Sequence, residues 1–200
     1  MKGLLIVFEG LDCSGKTTAI NKIIKNNNIY SNNKKLIYSK GIGSNILIGK
    51  ISRKIHTTLI FFIELTYFIY TKIKPNIKKG KIILQDRYDI SITSYIPLTN
   101  KSYNKFIIMI FKYFIIRPDA IVYFHLPLKE RIKRLKEKGT MYELMLANNP
   151  QLINLREEKY IEWYNYFNGP KIKINTKENN ISQTVKILEN FIKSLPKNLH

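Results

Sequence analysis

The stretch Gly10-Leu11-Asp12-Cys13-Ser14-Gly15-Lys16-Thr17 constrains this chain more than any other, because it fits G-x-x-x-x-G-K-[ST] in a setting that gives the pattern physical meaning. The apolar run Leu4-Leu5-Ile6-Val7-Phe8 before it reads as a buried strand. Thr18 to Lys25 after it, with Ile20, Ile23 and Ile24 at helical spacing, reads as the helix that the loop opens. Gly10 and Gly15 let successive backbone N–H groups face one anionic centre, at which the positive end of the helix dipole also points. Such a loop binds nucleotide phosphates. The segment from Gly10 through Leu11, Asp12, Cys13, Ser14 and Gly15 to Thr18 cradles ATP, Lys16 reaches the β- and γ-phosphates, and the Thr17 hydroxyl ligates Mg2+.

Composition narrows the setting. At 200 residues and 44% apolar content the chain can bury one substantial core, and no repeat, low-complexity tail or linker marks a boundary, so residues 1–200 read as one domain. The single cysteine, Cys13, excludes an internal disulfide and a multi-cysteine metal site, which points to a reducing cytoplasm. With Lys2 followed by only a short apolar run and then the loop, no secretory leader is expected. The longest apolar stretch, Leu59 to Tyr70, carries Glu64 near its centre and falls short of the ~20 residues of a spanning helix, so no membrane association is expected. Net charge is +20, from 34 Lys and Arg against 14 Asp and Glu. Those basic residues are scattered and form no stripe interleaved with aromatics, so we read the charge as surface composition rather than as a nucleic-acid face.

Taken in order, Leu36-Ile37-Tyr38 makes a second strand after an Asn-rich loop, and a helix runs from Ser44 or Asn45 to about Ile55, with His56 beyond it read as structural. Thr57 to Lys74 is a helix apolar around most of its circumference, closed by Pro75 and Gly80 and buried against the core or a second subunit. Lys81 to Gln85 is a third strand that delivers Asp86-Arg87-Tyr88 at its carboxyl end, where ligands bind in open α/β sheets. There Asp86 suits a magnesium-bound water and Arg87 suits phosphoryl oxygens, while an ordinary ion pair at a strand end is the plainer alternative. A helix starts at Ser91 to Tyr95. Tyr103 to Ile116 is a second strongly apolar helix, and Ala120 to Phe124 is a fourth strand. From Lys129 to Gly139 the chain is basic and helical, with Arg131, Lys133, Arg134, Lys136 and Lys138; this is either a solvated face or, with the residues to Tyr142, a lid over the phosphates. Gln151 to Phe167 is a helix, Lys171 to Asn175 a fifth strand, and Ser182 to Leu195 the closing helix. Strands alternating with helices predict a doubly wound α/β fold: a parallel five-stranded sheet flanked by helices.

With loop, triplet and basic segment in place, the chain resembles the thymidylate kinases along nearly its whole length. Phe8-Glu9-Gly10-Leu11-Asp12 with Ser14-Gly15-Lys16-Thr17-Thr18 is similar to that family's opening. Pro75 to Gly80 followed by Ile82-Ile83-Leu84-Gln85-Asp86-Arg87-Tyr88, then Ser91 and Tyr95, is similar to its second signature, and Pro118-Asp119 and Pro127 bracket the fourth strand as in the family. The resemblance implies transfer of the γ-phosphoryl of ATP to dTMP with Mg2+, in a homodimer paired through helices. It implies that Lys16, Thr17, Asp86 and Arg87 hold ATP, metal and acceptor phosphate, and that Asp12 faces the acceptor sugar or its phosphate environment. Arg53 lies near that phosphate, Phe61 stacks on the base, Ser91 belongs to the acceptor site, and Tyr95 occupies the place of a ribose 2'-hydroxyl.

The chain departs from the family at several of these places. Cys13 stands where many members carry a phosphate-directed arginine, so Arg134 and Lys138 become the candidate catalytic cations. Gly139 is followed by Thr140, Met141 and Tyr142 instead of an Asp-Arg pair. Lys40 replaces the usual arginine after the second strand, and a lysine makes no two-pronged contact. Where members read the pyrimidine edge, this chain has Leu65 after Glu64, then Ile92 and Ile96. A nucleoside or nucleotide kinase with a different or broader acceptor is therefore the nearest alternative. A basic P-loop ATPase that binds nucleic acid is the alternative of another class.

Overall fold

The computed structural model describes residues 3–26, 36–39, 57–94 and 101–196. Strand β1 (Leu4–Glu9) is buried along its whole length, and the fold divides according to which of its faces a residue serves. Side chains alternate across a strand, so Leu4, Ile6 and Phe8 point one way and Leu5 and Val7 the other. The first set packs with Ala19, Ile20 and Ile23 of α1 (Lys16–Lys25) and with Val185, Leu188 and Ile192 of α9 (Ile181–Ser194). The second set packs with Phe62 and Leu65 of α2 (Thr57–Phe68) and with Ile92 of α4 (Asp89–Ser94).

Around β1 the strands lie in the order β2 (Leu36–Ser39), β3 (Ile82–Asp86), β1, β4 (Ala120–His125), β5 (Lys171–Asn175), and every pairing is parallel. The expected five-stranded doubly wound sheet is thus present. Phe8 lies opposite Asp86 in the register, so the chain leaves β1 and β3 at the same level. It leaves toward opposite faces, α1 on one side and α4 on the other. Adjacent parallel strands that part in this way open a crevice at their carboxyl ends.

One expectation about the apolar helix needs correcting. Pro75 does not close it: α2 continues through a π-helical stretch, Ile69–Ile73, into α3 (Lys74–Lys78), with Pro75 in the first turn of α3. Pro75 has no N–H to donate, and it stands directly after the π-helical stretch, where the hydrogen-bond pattern changes from i−5 to i−4 without the backbone leaving the helix. The stripe facing the sheet is Leu65, Ile69, Ile73 and Ile77, all buried and four residues apart. At 3.6 residues per turn such a stripe would drift off the face, and the wider π turn absorbs the extra residue. Thr71 Oγ1 donates to the Tyr67 carbonyl and Asn76 Nδ2 to the Lys72 carbonyl, each at 2.7 Å, so side chains satisfy carbonyls in the distorted run.

After β4 come α6 (Leu128–Lys138), α7 (Met141–Ala147) and α8 (Pro150–Tyr166). The short helix α7, capped by the Thr140 side chain, has no counterpart in the sequence reading. Leu135, Leu146, Ala147, Ile153 and Tyr160 join Leu11 and Tyr123 in a third apolar cluster, which seats these helices against the phosphate loop. Helix α5 (Lys101–Lys112) lies beside α2, with Phe62 and Phe111 stacked at 4.9 Å.

Candidate active site

The loop between β1 and α1 has the conformation its glycines predict. Gly10 sits at φ +143°, and a Cβ there would lie 2.4 Å from the Phe124 carbonyl oxygen of the neighbouring strand, so no other residue fits. Gly15 precedes the first turn of α1 at φ +83°. Between them Cys13 is left-handed, φ +60°, although it is not glycine. A non-glycine residue held there costs of order 1–3 kcal/mol and persists only where its surroundings fix it.

Lys16 is buried, and its Nζ donates to the carbonyls of Gly10 at 2.5 Å and Leu11 at 3.2 Å and to Ser14 Oγ at 3.3 Å. Burial, reinforced by the nearby Arg87 guanidinium, lowers its ammonium to about 8. Thr17 Oγ1 donates to Asp86 Oδ2 at 2.7 Å across the crevice, and Tyr38 donates its hydroxyl to the same oxygen at 3.3 Å. The other oxygen, Asp86 Oδ1, is buried with no hydrogen-bond partner among the described residues. A carboxylate with a spare oxygen beside a threonine hydroxyl is a donor set suited to Mg2+. No group of three or more His, Cys, Asp or Glu that could hold a metal occurs among the described residues, and Mg2+ takes one or two protein ligands with phosphate and water completing its shell.

Arg87 is the second left-handed residue that is not glycine, φ +65°. Its turn is held from every side. Arg87 N–H donates to the Phe8 carbonyl at 3.0 Å, Gln85 Nε2 donates to the carbonyls of Asp86 at 3.2 Å and Arg87 at 2.9 Å, and Tyr88 N–H donates to Glu9 Oε1 at 2.5 Å. Thus fixed, the guanidinium pairs with the Asp12 carboxylate and reaches Ser91 Oγ at 3.4 Å. Ser91 in turn donates to Glu9 Oε2 at 2.7 Å and lies 3.0 Å from the Tyr160 hydroxyl. Burial pushes the Glu9 carboxyl up to about 7 against the opposing pull of Ser91, Arg87, the Tyr88 N–H and Lys16, and it pushes the Tyr160 hydroxyl up as well.

On the far side of the loop, Arg134 of α6 donates to the Cys13 carbonyl at 3.4 Å and the Thr176 carbonyl at 3.2 Å. It borders an open cleft of about 280 Å³ with Gly15, Thr18, Thr176, Asn179 and Asn180. Lys138, at the end of α6, pairs with Glu143 of α7. Arg131 departs from the reading of this segment as a solvated or lid charge run, because it is fully buried. With Leu128, Ile132 and Leu135 it falls at i, i+3, i+4 and i+7, so it occupies a core position of the helix, and that spacing is a signal the sequence did contain.

The structure therefore brings Asp12, Lys16, Thr17, Asp86, Arg87 and Ser91 together and sets Arg134 above them. Phe61 is partly buried against the α2 cluster, to which Leu65 and Ile92 also belong. Lys40, Arg53, Tyr95, Ile96, His56 and the expected helix from Ser44 lie outside the described residues. Glu9, Gln85 and Tyr160, which build the Arg87 turn, had been assigned no role from the sequence.

A phosphate loop at the head of a parallel sheet, facing an Asp-Arg pair and flanked by a basic helix, defines a P-loop kinase of the nucleoside monophosphate type. The chain belongs to the thymidylate kinase family, whose model matches residues 8–187. Among curated relatives it is 30% identical to the thymidylate kinase of Mycoplasmoides gallisepticum, over 80% of this chain and 81% of that one. It is 27% identical to the probable thymidylate kinase of Methanocaldococcus jannaschii over 96% and 97%. Among solved structures the fold superposes on thymidylate kinase from Ehrlichia chaffeensis with a TM-score of 0.70, at 16% identity, over 96% of this chain and all of that one. It superposes on the Candida albicans enzyme with a TM-score of 0.69, at 18% identity, over 96% and 92%.

Proposed function

We propose that this chain transfers the γ-phosphoryl group of ATP to dTMP, with Asp12, Lys16, Asp86, Arg87 and Arg134 at the reacting groups. The observation that carries the reading is the Thr17–Asp86 contact at 2.7 Å, which joins the phosphate loop to the strand that presents Arg87. Phosphoryl transfer asks a protein for alignment and charge compensation rather than covalent chemistry. Lys16 exchanges its loop carbonyls for the β- and γ-phosphate oxygens. Thr17 and Asp86 would hold Mg2+, which when bound offsets charge on the nucleotide phosphates. Arg87 holds the acceptor phosphate, and Asp12 fixes that guanidinium. The adenosine side of ATP takes the cleft between Arg134 and Thr176. Helix α6 with the residues to Tyr142 serves as the lid segment; with the helix anchored by Arg131, closure is a movement of the Arg134 and Lys138 side chains onto the transferring group, where Cys13 supplies no charge. Lys40, Arg53, Phe61, Ser91 and Tyr95 complete the acceptor side. The deciding experiment is a coupled assay of ADP release over a panel of nucleoside monophosphates. Release with dTMP supports the reading, and ATP turnover that needs DNA instead of a monophosphate overturns it.

The functional unit on this reading is a homodimer. Ile63 and Tyr67 of α2 and Phe106 and Met109 of α5 are each more than half exposed on neighbouring helices, and large apolar side chains exposed together favour an interaction surface. Light scattering at micromolar concentration should give about twice the 23.6 kDa chain mass, and the monomer mass would overturn this assignment. No helix among the described residues is long and apolar enough to cross a membrane. A cytoplasmic setting also suits a phosphate loop that carries a free thiol.

A further inference from the structure

We propose that Arg131, braced by Glu157, is a positioning residue that holds the crest of the phosphate loop, and through it the Asp12–Arg87 pair, in reactive geometry. Three elements converge on this brace away from the nucleotide. Arg131 of α6 donates through Nη1 to the Asp12 carbonyl at 2.9 Å, and through Nη2 to the Leu126 carbonyl and Glu157 Oε2, both at 2.9 Å. Glu157 of α8 takes the Tyr123 hydroxyl of β4 on its other oxygen, which also lies 2.8 Å from His125 Nδ1. Arg131 is 1% exposed, so solvent does not compete for these contacts.

The Asp12 carbonyl lies at one end of the peptide that leads into left-handed Cys13, and Arg134 holds the next carbonyl from the same helix. Two arginines of α6 thus grip consecutive crest carbonyls. That is the kind of external restraint a strained non-glycine conformation needs. Asp12 couples the crest to the acceptor side, because its carboxylate pairs with Arg87. Arg131 therefore touches no substrate and acts through the loop. A buried ion pair seldom adds net stability over apolar residues of similar size, and here its directed hydrogen bonds give it a geometric task.

The single thiol of the chain, Cys13, reports on this crest directly. The experiment measures Cys13 alkylation by iodoacetamide, kcat and KM, and thermal stability for Arg131→Met, Arg131→Lys and the double variant Arg131→Met/Glu157→Met. Leu188→Ala, buried in the cluster on the opposite face, serves as a stability control. The double variant guards against a fold lost merely because Glu157 is left buried without its partner. The inference rests on the loop's binding ATP, and protection of wild-type Cys13 by MgATP tests that separately: without protection the loop reading fails whatever the variants do. With the brace removed, kcat should fall roughly 10²-fold, as for a small misplacement of reacting groups. Cys13 should be alkylated at least about 5-fold faster, and Arg131→Lys, which keeps the charge and loses the fork, should lie between. Leu188→Ala should lose stability with kcat and alkylation unchanged. If the folded Met variants lose only stability, like the control, Arg131 is a structural strut and the proposal is overturned.

Discussion

Where the phosphate loop meets β3 and α4, the polar groups that shape the Arg87 turn are buried and bonded within the protein, whereas along α6 every cation except Arg131 is exposed or half-buried. Glu9, Gln85 and Ser91 are each less than a tenth exposed, but the Lys138 side chain is 58% exposed and Met141 beyond it 89%. On one flank the Arg87 turn is already held by hydrogen bonds, with only Gln85 Oε1 and Asp86 Oδ1 of its side-chain oxygens buried without a partner among the described residues. The other displays charge whose partners are solvent, an acid of the next helix or the loop's own carbonyls. On the proposed roles, the acceptor phosphate must be placed before reaction, while compensation of the transferring group is useful only at the moment of reaction. The division follows that order of need.

The harshest way to break the comparison is to remove the residue common to both flanks. Lys16→Ala should lower kcat by at least about 10³-fold, since the loop from Gly10 to Thr18 carries no second cation to neutralise the β- and γ-phosphates. Wild-type turnover in that variant would refute the site itself. The next test separates the flanks. Arg134→Ala should lower kcat by about 10²-fold and leave acceptor KM nearly unchanged, because its contact with the transferring group forms only on closure. Arg87→Ala should raise acceptor KM as well. Steady-state kinetics with each substrate varied would show the contrast, and equal effects of the two variants on acceptor KM would erase it.

This contrast also separates what the sequence disclosed from what it concealed. The loop, the Asp86-Arg87 pair and the parallel sheet were legible because backbone rules fix them: glycines at left-handed positions, a strand delivering its last residues to the crevice, crossovers between parallel neighbours. The Arg87 turn was not, because Glu9 and Tyr160 are distant in the chain from Gln85 and Ser91 and meet them only once β1, β3, α4 and α8 are assembled. Arg131 looked like one charge among five in a basic run, although its place in the Leu128–Leu135 stripe marked it as buried. Pro75 misled for a different reason: it follows a π-helical stretch, and the missing N–H at that change of pattern does not end the helix.

A milder effect concerns the acceptor base. Leu65 and Ile92 lie in the apolar α2 cluster and carry no polar atom with which to read a pyrimidine edge. Discrimination should then rest on shape, which for a single methyl group is worth about 10- to 200-fold. We expect kcat/KM for dTMP to exceed that for dUMP by no more than this, and that for dCMP by well under about 10⁴. A larger margin over either would mean that another polar side chain reads the base.

The smallest effect tests the completeness of the fixed flank. Burial raises Glu9 from an ordinary 4.5 to about 7, and Asp89 nearby from 3.8 to about 6. For each acid the folded value lies above the unfolded one, so the folded protein binds more protons between them. The stabilisation is present in full below the unfolded value and is lost as pH rises through the folded one. Folding stability should therefore decline between pH 4.5 and about 7, and Glu9→Gln, which cannot ionise, should flatten part of that decline by at most about 3 kcal/mol. Urea denaturation of both proteins at half-unit pH steps measures it, and the difference between the two curves removes every group they share. MgATP should not change this difference much, because Glu9 bonds the turn rather than the nucleotide. Parallel curves for wild type and Glu9→Gln would show that the carboxyl titrates normally in the folded state, and the acceptor flank would then be more open to water than its hydrogen bonds imply.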